Sequence, residues 1–209
     1  MRHTFAVSIL ALYLGVASGC GAGRPSKYYQ LTIPGNAPSI TETRPYPVTL
    51  LLGPITSSEL YRGDRIVYSS DGHAIGTYEY QRWVDLPTQM IQDVLSRKLR
   101  TSGRYRAVHP WSSNARGDYR LRGKLYDFKE VSGATVVGRV TIELELRDTK
   151  TGATVWTHFY THDEPVSGKE VPAVVEALDQ NVLRAASEFM AGLDRYFSTH
   201  LPANTTASQ

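Results

Sequence analysis

The chain contains a single cysteine, Cys20, and this limits the reactions that its thiol can serve. A single thiol cannot form a disulfide within the chain, and protein metal sites draw on several ligands. An ionised cysteine is nonetheless a strong nucleophile. The residues around Cys20 must therefore indicate which reaction the thiol serves.

Cys20 follows the most apolar run of the sequence. Met1-Arg2-His3 supplies a short basic start, and residues 5–16 (FAVSILALYLGV) form an apolar run of twelve. That length is too short to span a bilayer but suits the centre of a secretory signal. The alternative, a buried N-terminal core helix, is disfavoured because the run has no amphipathic period and ends in glycines and a proline.

The small residues Ala17, Ser18 and Gly19 before Cys20 resemble the lipobox of bacterial lipoproteins, with Ala17 in place of the more usual leucine. This resemblance implies that residues 1–19 are a lipoprotein signal peptide. Cleavage between Gly19 and Cys20 would make an acylated Cys20 the first residue. The alternative is an ordinary cleaved secretory signal with a spare free thiol.

Acyl chains on Cys20 would hold the chain permanently, since each buried methylene contributes ~0.8 kcal/mol. Gly21 stands where an aspartate usually retains lipoproteins in the inner membrane. The signal therefore implies a bacterial protein anchored by lipid to the periplasmic face of the outer membrane. No later apolar run approaches eighteen residues, so anchoring rather than spanning is predicted.

Other residue patterns that could carry chemistry fail on spacing. His158 and His162 have the separation of a helical zinc pair, but in the strand predicted there they would lie ~13 Å apart. Ser167-Gly168-Lys169 resembles the end of a phosphate loop, yet Asp163 occupies the position of its required glycine. A nucleophile elbow, Gly-x-Ser-x-Gly, does not occur. We predict no metal, no cofactor and no enzymatic activity.

The charge balance argues against nucleic acid as a partner. The chain of 209 residues has 23 basic and 20 acidic side chains, a formal charge of +3. Proteins that bind nucleic acid usually concentrate far more positive charge.

Apolar periodicity predicts one compact domain. Asp71-Gly72 and residues 148–152 are turn signals that predict antiparallel hairpins, and the continuous apolar run at 48–55 predicts a strand buried on both faces. The predicted strands are residues 27–33 at an edge, 48–55, 65–69, 75–80, 119–125, 140–147 and 154–160.

Two amphipathic helices complete the pattern, one capped by Asp85 and stopped at Gly103, the other from Pro172 to Leu201. These elements predict an α/β (α+β) domain over residues 47–201, with a mixed sheet and both helices packed on it. Residues 20–46 are predicted to be a tether with the edge strand, and 202–209 a disordered polar tail.

Trp156, His158 and Tyr160 alternate along the last predicted strand and therefore share one face. That face either belongs to the core or forms a surface that docks a partner or faces lipid. Trp83, at the start of the first helix, is expected to pack in the core.

Two rows of charge lie on neighbouring predicted strands. Arg120, Arg122 and Lys124 alternate on one strand and Glu143 and Glu145 on the next. Ion pairs across an exposed sheet face explain both rows.

Four motifs in order carry a resemblance to a known family: Gly53-Pro54-Ile55, residues 64–68 (DRIVY), residues 80–87 (YQRWVDLP) and the hairpin from Asp148 to Trp156. With the lipobox, they resemble the ABC-type transport auxiliary lipoprotein family of the paraquat-inducible-protein C type. The resemblance covers about residues 27–198. One position departs from the family pattern: Val84 stands after Trp83, where the family usually has a small residue.

That resemblance implies a fold related to the Tol-type periplasmic domain and a role without catalysis. The family supplies the outer-membrane lipoprotein of envelope lipid transport systems, which docks a periplasmic mammalian-cell-entry-domain protein of an ABC transporter. A ring-shaped homo-oligomer would suit such a role. The alternative is an outer-membrane lipoprotein that activates or assembles another envelope machine, such as peptidoglycan synthesis or secretion.

Replacing Cys20 by Ala tests the anchor. Because the variant has no thiol to acylate, we expect a soluble periplasmic form or an uncleaved precursor when membranes are fractionated. Unchanged recovery of the variant in the outer membrane would contradict lipidation at Cys20.

Overall fold

The structure, a computed structural model, describes residues 24–35, 45–70 and 73–200, which contain eight strands and two α-helices besides a single 3-10 turn at Glu59–Tyr61. In chain order the strands and α-helices are β1 (Lys27–Tyr29), β2 (Tyr46–Ser57), β3 (Arg65–Ser70), β4 (Ala74–Trp83), α1 (Pro87–Thr101), β5 (Tyr105–Pro110), β6 (Tyr119–Ser132), β7 (Val137–Asp148), β8 (Thr154–Pro165) and α2 (Val171–His200). The predicted signal peptide, Cys20 and the polar tail lie outside the described residues.

The sheet is built on β6, which has neighbours along both edges. β7 runs antiparallel along one edge and carries β8 beyond it. On the other edge, the first half of β6 pairs with β2 and the second half with β3, both in parallel. The sheet therefore divides into two arms, with β5 beyond β2 and with β4 and then β1 beyond β3. The predicted mixed sheet is confirmed.

Alternating side chains explain the long antiparallel ribbon of β6, β7 and β8. Leu121 and Leu125 of β6 and Leu144 and Leu146 of β7 point to one face and are buried, while charged residues between them point to the other. A side-chain period of two places one complete set in the core and leaves the other set outside.

Helix α2 covers the buried face of this ribbon. Its apolar side chains recur at three- and four-residue intervals and are almost fully buried: Leu178, Val182, Phe189, Leu193 and Phe197. With 30 residues at ~1.5 Å each, the helix is about 45 Å long and crosses the whole ribbon. The two helices predicted from the sequence are both confirmed.

The opposite face of the ribbon is open, whereas β2 is enclosed. On the open face, the side chains of Tyr126 and Phe159 are 39% and 57% exposed, and their rings lie 5.8 Å apart. In β2, consecutive Leu50 and Leu51 point to opposite faces and are both buried. The prediction of a strand enclosed on both faces is confirmed, because residues 111–118 cover its outer side.

Three local features differ from the sequence prediction. The Asp85 carboxylate accepts the N–H of Leu86, and Leu86 itself is the residue at the N-cap of α1. Asp85 therefore does not cap the helix, and Pro87 begins it without an N–H that needs an acceptor. Strand β5 was not predicted, because its sequence (YRAVHP) lacks an apolar alternation. The first edge strand also ends at Tyr29 rather than at residue 33.

Trp83→Ala should lower the free energy of unfolding by about 3–5 kcal/mol. The Trp83 side chain is 1% exposed, packs on Phe128 at a ring distance of 5.1 Å, and leaves a large cavity when truncated. Urea unfolding followed by circular dichroism measures the change. Trp111→Ala is the matched control, because that ring is 45% exposed and its loss should cost less than about 1 kcal/mol. Equal losses in the two variants would contradict a core role for Trp83.

Candidate docking surface between β8 and α2

The three aromatic residues singled out in β8 do share one face, and α2 lies over it. Tyr160 is only 3% exposed, so it belongs to the core and offers nothing to a partner. This corrects the expectation that all three residues could form one docking surface. Trp156 and His158 are half-buried and reach the edge of the helix.

A buried amide fixes α2 at the Tyr160 end of the row. The Tyr160 hydroxyl donates to Asn181 Oδ1 at 2.6 Å, and Asn181 Nδ2 donates to the carbonyl oxygens of Gly138 and His162 at 2.9 and 2.8 Å. Asn181 is fully buried, so all three bonds are made away from water. The network joins the helix to both β7 and β8.

Gly138 allows the helix to come this close. A Cβ atom at this position would lie 3.1 Å from the backbone nitrogen of Leu178. The sequence carries a signal for Asn181, because this polar residue comes three positions after Leu178 and therefore lies on the buried stripe.

Burial raises the pKa of Tyr160 to about 12. Removing the phenol from water disfavours its charged form, and Glu188 and Glu164 add to the effect while Arg184 opposes it. The neutral hydroxyl is therefore the form that donates to Asn181.

At the other end of the row, β8 and α2 separate into an aromatic cleft of about 490 Å³. Trp156 forms one wall, and Tyr196, stacked on His200 with ring centres 4.4 Å apart, forms another. A Cβ on Gly192 would lie 2.8 Å from Trp156 Cζ2, so a glycine at this helical position lets the indole lie against the backbone.

Charged groups line the same cleft. His158 Nε2 lies 2.7 Å from Glu188 Oε1, and the His158 ring stacks on Trp156 with centres 5.8 Å apart. Arg195, which is exposed, completes the charged lining. An aromatic cleft with charges of both signs can bind an apolar or aromatic side chain and hydrogen-bond the polar groups beside it.

The two histidines considered as a zinc pair are separately engaged. His158 contacts Glu188, and His162 Nε2 lies 3.4 Å from Glu164 Oε2. Across residues 24–35, 45–70 and 73–200, the His, Cys, Asp and Glu side chains form no group of three that could hold a metal ion.

The predicted charge rows pair in part. Arg122 Nε lies 2.7 Å from Glu145 Oε1 across the β6–β7 ladder. Arg120 instead places its guanidinium 3.7 Å from the centre of the Trp111 ring, and Lys124 lies over Tyr126. Cross-strand pairing thus explains Arg122 and Glu145 but not Arg120.

Comparison with known proteins identifies one family. Residues 29–189 match the family described as ABC-type transport auxiliary lipoprotein component. No curated protein matches the sequence. Within the described residues, neither helix combines the length and apolar character needed to cross a membrane.

Two crystal structures share the fold. Protein XCC0632 from Xanthomonas campestris, of family DUF330, is 19% identical with a TM-score of 0.70, and the match covers 83% of this chain and 97% of that one. An uncharacterized protein is 12% identical with a TM-score of 0.65, covering 81% and 99% of the two chains. At these identities the similarity establishes the fold.

Tyr160→Phe should lower the free energy of unfolding by about 1–3 kcal/mol, because Asn181 Oδ1 loses its donor inside the core. The folded-state pKa of Tyr160, about 12, exceeds the unfolded value of about 10. Its stabilising contribution is therefore complete below pH ~10 and disappears as the pH rises toward ~12. Urea unfolding across this range should show a shallower alkaline decline in the variant.

Tyr28→Phe is the control for losing a hydroxyl, because the Tyr28 side chain is 61% exposed. It should leave the free energy of unfolding at neutral pH unchanged. An equal loss of stability in both variants would contradict the role assigned to the buried network.

Proposed function

Since the chain belongs to the family of ABC-type transport auxiliary lipoprotein components, we propose that it is the outer-membrane-anchored subunit of an envelope lipid transport system. In this role it docks the periplasmic shuttle, a mammalian-cell-entry-domain protein of an ABC transporter, to the outer membrane. It catalyses no reaction. Its contribution is to hold the shuttle near the membrane by a lipid on Cys20.

The family match carries this proposal. It begins at residue 29, the last of β1, and ends at residue 189 in α2, so it spans strands β2 to β8 and most of the helix that covers them. Cys20 precedes the matched region by nine residues in the sequence. Anchor and domain are thus parts of one chain, which is the arrangement a docking subunit requires.

The aromatic cleft supplies a surface for the shuttle. Binding energy in protein interfaces concentrates in aromatic and arginine residues that lose water at the centre of the contact. Trp156, Tyr196 and Arg195 meet that description in one cleft. We assign the shuttle protein to this cleft, with an apolar or aromatic side chain inserted beside Trp156.

Trp156→Ala should weaken binding of the mammalian-cell-entry-domain protein at least tenfold, because it removes the main wall of the cleft. Co-purification of the tagged full chain from detergent-solubilised membranes identifies the partner, and titration measures affinity. Arg195→Ala tests the same cleft, and because Arg195 is exposed, this variant should keep the fold intact.

Phe159→Ala is the matched control, since Phe159 lies in the same strand, points to the opposite face and is 57% exposed. It should leave the affinity unchanged. Loss of binding in Phe159→Ala but not in the cleft variants would overturn the assignment of the cleft. Recovery of peptidoglycan-synthesis or secretion proteins in place of a mammalian-cell-entry-domain protein would overturn the proposed function itself.

A further inference from the structure

A second recess, on the opposite face of the sheet from the aromatic cleft, combines an exposed tryptophan with positive charge. It has a volume of about 640 Å³ and lies between the loop 111–118 and the turn at Thr149 and Lys150. The floor is Leu51, and the Trp111 indole, 45% exposed, stands at one side. An indole left this exposed is well suited to an interface that is partly apolar and partly wet.

Three cations line the recess and one carboxylate faces them. The cations are Arg106, Arg116 and Lys150, and the carboxylate is Asp118. Asp118 Oδ2 already accepts the N–H of Thr49 and a guanidinium N–H of Arg106, each at 2.8 Å. Its charge is therefore paired with Arg106, whereas Arg116 and Lys150 are exposed and form no ion pair with Asp118.

The other nearby carboxylate is also engaged. Asp148 Oδ1 accepts the backbone N–H groups of Lys150 and Thr151 and the Thr151 hydroxyl. These bonds hold the pKa of Asp148 below its ordinary value; the N–H of Thr151 is the largest cause, and the positive charge of Lys150 is a smaller one. Asp148 thus shapes the turn that presents the Lys150 side chain to solvent.

Arg120 adds a fourth cation beside the recess. Its guanidinium stacks on the Trp111 ring at 3.7 Å, and its buried Nε has no hydrogen-bond partner among the described residues. The cation is thus held against the indole rather than against a carboxylate. Trp111, four basic side chains and the carboxylates of Asp118 and Asp148 form a small patch with a formal charge of +2, against +3 for the whole chain of 209 residues.

The backbone holds this patch in place before any ligand arrives. The N–H of Trp111 donates to the Leu52 carbonyl at 2.8 Å, and the Thr149 hydroxyl donates to the Gly117 carbonyl at 2.6 Å. A Cβ on Gly117 would lie 2.3 Å from Leu51 Cγ, so only glycine lets the loop lie this close to β2. A surface ordered in advance loses little conformational entropy when it binds.

We propose that this patch contacts the anionic headgroups of a phospholipid membrane, with Trp111 entering the headgroup layer and Arg116 and Lys150 facing the phosphates. The contact rests on the membrane attachment in the proposed function but goes beyond it, because it orients the folded domain on the bilayer independently of the acyl chains. Tryptophan is enriched at bilayer interfaces, and each lysine or arginine near an anionic surface adds to binding. Asp118 and Asp148 are carboxylates near the patch, and their negative charge opposes such a contact. Asp118 is paired with Arg106, however, and the four basic side chains outnumber the two carboxylates.

The test uses the form that begins at Gly21, which carries no acylated cysteine. All described strands and helices lie between Lys27 and His200, so this form keeps them, and circular dichroism verifies its fold. Co-sedimentation with vesicles of phosphatidylcholine alone, or of phosphatidylcholine and phosphatidylglycerol in a three-to-one ratio, measures binding. We expect binding to the anionic vesicles that weakens as salt is added.

Arg116→Gln and Lys150→Gln should each reduce binding to the anionic vesicles about fivefold. Trp111→Ala should reduce binding to both vesicle compositions, because the indole contributes without regard to headgroup charge. Lys169→Gln makes the same charge change at an exposed position beside the opposite end of β7, whose 12 residues span about 36 Å. It should leave binding unchanged.

Equal losses for Lys169→Gln and Lys150→Gln would overturn the assigned patch in favour of diffuse attraction. A second titration uses inorganic phosphate in place of vesicles. If phosphate binds saturably, Arg116→Gln abolishes that binding and no vesicles bind, the membrane contact is overturned and the recess is a site for a soluble phosphate. Because this form has neither anchor nor partner, failure of vesicle binding would leave the shuttle-docking result intact, and the two proposals are tested separately.

Discussion

The amide of Asn181 is the interaction on which the arrangement of the domain depends. Its three hydrogen bonds, made without water, join α2 to β7 and β8 and so determine where the helix crosses the sheet. Gly192 lies eleven residues later, which is about three turns and therefore almost the same face of the helix. The position at which Asn181 is bound consequently determines that Gly192 meets Trp156. The aromatic cleft follows from this register of the helix on the sheet.

Helix α2 covers only one face of the β6–β7–β8 ribbon, so the opposite face stays accessible. Apart from the buried amide of Asn181, helix α2 packs mainly apolar side chains on β7 and β8, whereas the outer face of the ribbon carries tyrosine, phenylalanine and alternating charges. The two recesses lie near the same end of the ribbon, because the ring of Tyr119, at the start of β6, contacts that of Tyr196 in α2 at 6.4 Å. A partner in the cleft and a membrane at the recess would meet the domain at this end from opposite faces.

Much of the fold could be predicted because its signals are local. The alternation of Leu121 and Leu125 and the stripe from Leu178 to Phe197 each describe one element and its buried side. Strand β5 was missed because its pairing with β2, rather than its own composition, makes it a strand. The cap assigned to Asp85 was wrong, since the carboxylate turns to the N–H of the adjacent Leu86. Trp156, His158 and Tyr160 share one face of β8, as predicted. The sequence could not indicate that helix α2 buries Tyr160 and leaves the other two half-exposed.

The sequence by itself determined the family, the mixed sheet with its hairpins and the two amphipathic helices, because these follow from motif order and from the spacing of neighbouring side chains. The tertiary structure alone decided which aromatic residues remain accessible and where positive charge is left uncompensated. Leu51, Trp111 and Lys150 meet in one recess although sixty and thirty-nine positions separate them along the chain. The periodicity of side chains carries no information about contacts between residues so far apart in the sequence. They arise only when the chain packs and each carboxylate has taken its partner.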